Sequence, residues 1–165
     1  MPEKLALPCD RAQQNPGRNT ADETRHMKDA LLDTSVMVAF FDIKEEHHEL
    51  YKTKLRAAQA QSRYLVTTWP CISEASYILS PSGHFALLDW IAAGGALVND
   101  IDIVDLPKMV KYMQTYTEPG KSLADLADAS LVWLGQKLDC THIMTEDRRD
   151  FLRYRLPDGR AFEIL

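Results

Sequence analysis

Cysteine is scarce. Cys9, Cys71 and Cys140 are the only three, an odd number, widely spaced and without a C-x-x-C pair. That pattern excludes a disulfide framework and a zinc ribbon, and it suits a reducing cytosol. Long apolar runs are missing as well. Val36 to Phe41 and Ile91 to Val98 fall far short of the roughly 18 residues a transmembrane helix needs. Pro2 and Pro8 bracket only a few apolar residues, so no signal peptide is expected. Glycine and proline, at 7 and 8 residues, are too few for a collagen-like or linker-like chain. Basic excess is absent too: 19 Lys and Arg against 24 Asp and Glu give a net charge of −5. On its face that balance argues against a protein that coats nucleic acid. No G-x-S-x-G, P-loop or G-x-G-x-x-G occurs, which removes the familiar nucleophile elbow and nucleotide loops.

What is present is an ordinary globular composition, 45% hydrophobic and 26% charged over 165 residues, which predicts one folded domain. Residues 1–28, with Pro2, Pro8, Pro16 and Gly17 and no aliphatic pair at regular spacing, read as a disordered or loosely attached tail. Met27 is an alternative natural start. Residues 29–165 form the expected domain. Ala30-Leu31-Leu32 reads as a strand, Val36–Phe41 as a buried helix, 45–60 as an amphipathic helix and 64–68 as a second strand. Helices are expected from Pro70 to Leu79 and over 84–93, separated by the breaker cluster Ser80-Pro81-Ser82-Gly83. A strand near 96–104, helices over 105–117 and 122–138, a strand at 142–145, a short helix near 147–152 and a closing strand at 162–165 follow. Alternation of this kind predicts an α/β fold with a mostly parallel sheet covered on both faces.

The informative residues are carboxylates that interrupt apolar runs. Asp33 closes Ala30-Leu31-Leu32, Glu74 lies in Cys71–Leu79, Asp128 sits among Leu126, Ala127, Ala129 and Leu131, and Asp147 follows Ile143-Met144-Thr145. Burying an isolated carboxylate costs about several kcal/mol unless something compensates it. Asp33 and Asp147 end strands, and in an open parallel sheet the strands' carboxyl ends line the ligand crevice. Asp125 and Asp128, three apart, are expected on one helix face. Mutually repelling oxygen ligands are most simply relieved by Mg²⁺ or Mn²⁺. Each acid also has an ordinary reading: a helix cap for Asp33 and Asp147, an ion pair for Glu74, a first-turn acid for Asp125. Asp128, in the middle of the expected helix, is hardest to explain structurally. His47 and His48 are expected on a solvated face, while His84 and His142 lack a partner at zinc-ligand spacing. Trp69, Trp90 and Trp133 read as core, with Trp69 close enough to Glu74 to border the acids. Cys71 and Cys140 read as small buried fillers.

Taken in order, Leu-Leu-Asp33-Thr-Ser, Ser-Glu74-Ala, Asp125-Leu-Ala-Asp128-Ala-Ser-Leu and Thr145-Glu-Asp147-Arg-Arg-Asp150-Phe resemble the PIN-domain family, and within it the VapC-like toxin ribonucleases. The resemblance covers roughly residues 29–165. It implies a three-layer α/β/α sandwich and a Mg²⁺- or Mn²⁺-dependent endoribonuclease, a homodimer paired with an antitoxin protein. Asp33 and Asp128 would be the principal metal ligands, with Glu74 and Asp147 completing the catalytic set. Thr34, Asp125, Thr145 and Asp150 would support them from behind. Arg148, Arg149, Arg153 and Arg155, clustered after the fourth acid, are candidate contacts to RNA phosphates. Two other readings remain open, a different metal-dependent phosphohydrolase and a non-catalytic PIN-like interaction module. An aspartyl-phosphate enzyme expects D-x-D after the first strand, and this chain has Asp33-Thr34-Ser35.

Overall fold

The computed structural model describes residues 29–120 and 123–165. The expected tail, residues 1–28, lies outside the described residues. Five parallel strands form one sheet in the order β3-β2-β1-β4-β5: β1 (Asp29–Leu32), β2 (Tyr64–Thr68), β3 (Leu97–Asn99), β4 (His142–Met144) and β5 (Glu163–Ile164). Leu31 pairs with Val66 on one side and with Ile143 on the other, which makes β1 the central strand. The chain therefore moves outward from β1 to β3, then returns to place β4 against β1's free edge. That reversal creates a switch point between β1 and β4, where ligands bind at the carboxyl ends of such sheets. The architecture is the expected three-layer α/β/α sandwich.

Seven α-helices connect the strands among the described residues: α1 (Thr34–Phe41), α2 (His48–Ala60), α3 (Trp69–Ile78), α4 (Pro81–Ala92), α5 (Leu106–Tyr116), α6 (Leu126–Lys137) and α7 (Arg148–Arg153). α1 is rich in β-branched and aromatic residues, which have weak helix propensity. Packing stabilises it instead: Val36, Met37, Val38, Ala39 and Phe40 are all buried. α6 is also apolar nearly all round and lies over β1 and β2. Gly135 permits that close approach, since a Cβ there would stand 2.8 Å from the Cys140 carbonyl oxygen and 3.3 Å from Leu31. α6 is thus held directly over the central strand, with its N-terminus at the switch point.

Four elements differ from the sequence reading, the first being the amphipathic helix expected over 45–60, which begins at His48. The cluster Ser80-Pro81-Ser82-Gly83 starts α4 rather than separating two helices. Ser80 is the N-cap, accepting from the Gly83 N–H, and Pro81 takes the first turn, where a missing N–H costs nothing. The expected strand at 96–104 is only Leu97–Asn99, followed by a 3₁₀ turn, Ile103–Asp105, capped by Asp102. α6 begins at Leu126, so Asp125 is its N-cap and Asp128 lies in its first turn. The two acids do not stack on one helix face: Asp125 Oδ1 accepts the Asp128 backbone N–H at 2.9 Å.

Candidate active site

The crevice begins with Asp33. Its backbone N–H donates to the Met144 carbonyl at 3.1 Å, so β1 and β4 are still joined at the point where the acid emerges. Asp33 is only 4% exposed. Its Oδ1 caps α1 by accepting the Thr34 N–H at 2.7 Å, and its Oδ2 accepts from Ser35 Oγ at 2.6 Å and Thr145 Oγ1 at 2.7 Å. Those two hydroxyls in turn accept backbone N–H groups from the next turn, Ser35 from Glu146 and Thr145 from Asp147, each at 2.9 Å. One carboxylate oxygen therefore fixes the β4–α7 turn that carries Asp147. Burial pushes the Asp33 carboxyl above the usual carboxylate range, against three hydrogen bonds that pull it down, with Glu74 repelling it further.

Glu74 comes from α3 and is half-buried. Thr34 Oγ1 lies 2.8 Å from Glu74 Oε2 and donates to it. Thr34, predicted as a supporting residue, thus links the cap of α1 to the second acid. Asp128 completes the group from α6. Burial, then repulsion from Asp125 and Asp33, pushes its carboxyl up to about 8, and Asp147 adds to the same field. Tyr154 opposes this by donating its hydroxyl to Asp128 Oδ2 at 2.9 Å. Asp147 is exposed and caps α7, accepting the Asp150 N–H at 3.1 Å. Asp33, Glu74, Asp128 and Asp147 thus meet in one electrostatic field at the switch point. No lysine or arginine among the described residues forms an ion pair with any of them.

Such a set fits a hard divalent cation. Its donors are all carboxylate oxygens, and two of them, Asp33 and Asp128, are destabilised as anions first by burial and then by neighbouring carboxylates. The Tyr112 hydroxyl, close enough to Asp128 to feel its charge, is buried without a hydrogen-bond partner among the described residues. Among the described residues no three His, Cys, Asp or Glu side chains close into a ligand cage. An ion that retains several waters, as Mg²⁺ does, suits that open arrangement.

The supporting and basic residues divide. Thr145 and Thr34 touch the acids directly, whereas Asp125 caps α6 and Asp150 faces Arg153 at 3.7 Å. Arg148 and Arg149 are exposed beside Asp147. Arg153 is engaged by the Tyr116 carbonyl at 2.8 Å and Glu118 at 3.0 Å, and Arg155 by the carbonyls of Leu152 and Tyr154. Trp69, expected in the core, is 52% exposed at the β2 end of the same sheet edge, its Nε1 donating to Asp100 at 3.1 Å. His48 is not on a solvated face: its side chain is mostly buried and its Nδ1 lies 3.0 Å from the Ala39 carbonyl.

Sequence reasoning missed Tyr154 and Ser35 as partners of the acids. Ser35 had a local signal, since it follows Asp33 by two positions. Tyr154 had none, because it reaches Asp128 across 26 residues only once α7 has packed. It is buried edge-on against Tyr112, Tyr116 and Phe151.

Comparison with curated proteins returns no match. The family comparison does: residues 30–156 match the PIN domain. That stretch runs from β1 to just beyond α7 and contains every acid of the crevice. The chain belongs to the PIN-domain family, a metal-dependent nuclease fold.

Proposed function

We propose that this chain is a Mg²⁺- or Mn²⁺-dependent endoribonuclease and the toxin of a toxin–antitoxin pair. The observation that carries the reading is the group of four acids at the β1/β4 switch point, lacking any basic partner among the described residues. When bound, the cation supplies Lewis acidity toward water and the scissile phosphate. Asp33 and Asp128 would hold it, Asp33 fixed by three donors and Asp128 aimed by Tyr154. Glu74, steadied by Thr34, and Asp147, steadied through Thr145, would orient water and accept its proton at their carboxylate oxygens. No protein nucleophile is required. Cys71 is unsuited to be one, since burial pushes its thiol up to about 12. Arg148 and Arg149, beside the fourth acid, would hold RNA phosphates at the rim.

Resemblance to VapC-like chains supports the antitoxin partner, the homodimer and a cytosolic setting. Tyr77, Ile78 and Phe85 on α3 and α4, exposed by 92%, 55% and 65%, add support for a protein-binding face. No described helix is long and apolar enough to cross a membrane. Purified protein is expected to cut mixed RNA internally with Mg²⁺ or Mn²⁺ and to stop with EDTA. Metal-independent cleavage would overturn the mechanism. Growth arrest on expression, relieved by a neighbouring small gene product, tests the toxin role separately.

The exposed Trp69 ring gives this reading a second test. Its indole edge is pinned by Asp100 while much of the side chain meets solvent, as a base-stacking platform requires. Trp69→Ala is expected to raise KM for RNA about tenfold with kcat nearly unchanged, from a stacking contribution of about 1–3 kcal/mol. An unchanged KM would remove Trp69 from the substrate path.

A further inference from the structure

α5, α6 and the segment after Tyr154 enclose a groove of about 750 Å³, separate from the acid crevice. Its size suits a nucleotide-scale ligand. The chain as a whole is acidic, yet this lining is basic: Lys108, Lys111, Lys137 and Arg155 against Asp105 alone. That one acid is already taken, since Lys108 Nζ lies 2.8 Å from its Oδ1. Lys111 and Lys137 are exposed, and Lys137 sits 4.6 Å above the Trp133 ring. Arg155 donates from Nη1 to the Leu152 and Tyr154 carbonyls, each at 2.7 Å, which anchors its guanidinium at the edge of the groove. Between these cations lie the half-buried Tyr112 and Tyr116, while Trp133 forms the buried floor beneath Lys137.

Cations interleaved with aromatic rings are what single-stranded nucleic acid requires, phosphates meeting the first and bases the second. An acidic peptide would use the lysines but leave the rings without a matching flat partner. The groove's position adds a further reason. Tyr112 and Tyr116 line it and also pack edge-on against Tyr154, at 5.5 and 5.1 Å, and Tyr154 holds Asp128. Trp133 and Lys137 follow Asp128 on the same helix, roughly 8 and 13 Å further along it by helical rise.

We propose that this groove is a second RNA-binding site, gripping single-stranded RNA outside the segment being cut. The proposal rests on the ribonuclease reading and extends it from the crevice to the flank of α6. Arg155, expected from sequence to contact phosphate, would do so here rather than at the acids.

The test is anisotropy of a labelled single-stranded RNA of about 16 nucleotides, titrated in EDTA with the full-length chain at several salt concentrations. Lys111→Glu with Lys137→Glu is expected to weaken binding about tenfold or more. Lys111→Gln with Lys137→Gln should lower the slope of log K against log salt by about 1.4, two phosphate contacts at about 0.7 each. In Mn²⁺, both double variants should cut a trinucleotide, too short to reach the groove, at the wild-type rate. Unchanged affinity and slope in the glutamine variant overturn the proposal, as does wild-type protein that fails to bind RNA. Poly-glutamate displacing the RNA at equal charge concentration also overturns it, in favour of an acidic protein segment. Loss of the ribonuclease reading is told apart by wild-type protein that binds RNA through these lysines but never cuts it.

Discussion

Asp128→Asn is expected to abolish RNA cleavage and, in the same protein, to raise the melting temperature of the metal-free form. The two effects share one cause. In the native state burial and the charges of Asp125 and Asp33 push the Asp128 carboxyl up to about 8 from 3.8. A carboxyl raised this way holds its proton in the folded chain and loses it in the unfolded one. Between about pH 4 and pH 8 the native state therefore binds more protons, and stability falls as pH rises through that window. Each unit of such a shift corresponds to about 1.4 kcal/mol. With water still reaching the half-buried carboxylate, the penalty at pH 8 is on the order of 3 kcal/mol. Asparagine removes it and keeps an oxygen for the Tyr154 hydroxyl. For a chain of this size the gain corresponds to roughly 6–12 °C in Tm at pH 8 and almost none near pH 4. Mn²⁺ should reverse the ranking, stabilising wild-type protein by mass action while leaving the variant unmoved. Cleavage should fall by at least about a hundredfold. Equal Tm shifts at pH 4 and pH 8 would show that Asp128 is not held protonated. Cleavage at the wild-type rate would remove it from the reaction.

That prediction turns on where the charge is placed, which the net charge of −5 conceals. The order of strands and helices was legible because the apolar runs are short and each is closed by a polar residue. Leu31-Leu32-Asp33 and Ile143-Met144-Thr145 both end strands, and both lie at the switch point. The four acids were legible for the same reason, as charges that interrupt buried segments. Their helix positions were less so. Asp125 and Asp128 suggest a shared helix face by spacing alone, but a side chain that caps its own helix uses that spacing to meet a backbone N–H. Pro81 and Gly83 read as breakers, and Ser80 turned the same residues into a helix start. Contacts that depend on distant packing left no trace in local pattern. Tyr154 meets Asp128 only after α7 docks, and Trp69 is exposed because it stands at the end of β2 rather than beneath the sheet.

Asp33 separates structure from chemistry most cleanly, because two substitutions there are expected to diverge in stability and agree in activity. Asp33→Ala removes the cap of α1 and strands three donors, the Thr34 N–H and the hydroxyls of Ser35 and Thr145. Loss of a cap costs about 1 kcal/mol, and a buried donor left without its acceptor about 1–3 kcal/mol. Relief of the buried charge offsets part of this, leaving a net loss of about 2 kcal/mol, or roughly 4–8 °C in Tm. Asp33→Asn keeps one oxygen for the Thr34 N–H and is expected to melt within a few degrees of wild type. Both should lose cleavage by at least about a hundredfold, since neither offers an anionic oxygen to a cation. The β4–α7 turn supplies a readout independent of catalysis. The Glu146 and Asp147 N–H groups donate to hydroxyls that Asp33 itself orients. Their hydrogen exchange should speed up markedly in the alanine variant and only modestly in the asparagine variant. If alanine leaves those two amides as protected as in wild type, Asp33 does not hold the turn that carries Asp147. If asparagine retains full cleavage, its charge is not what the reaction uses.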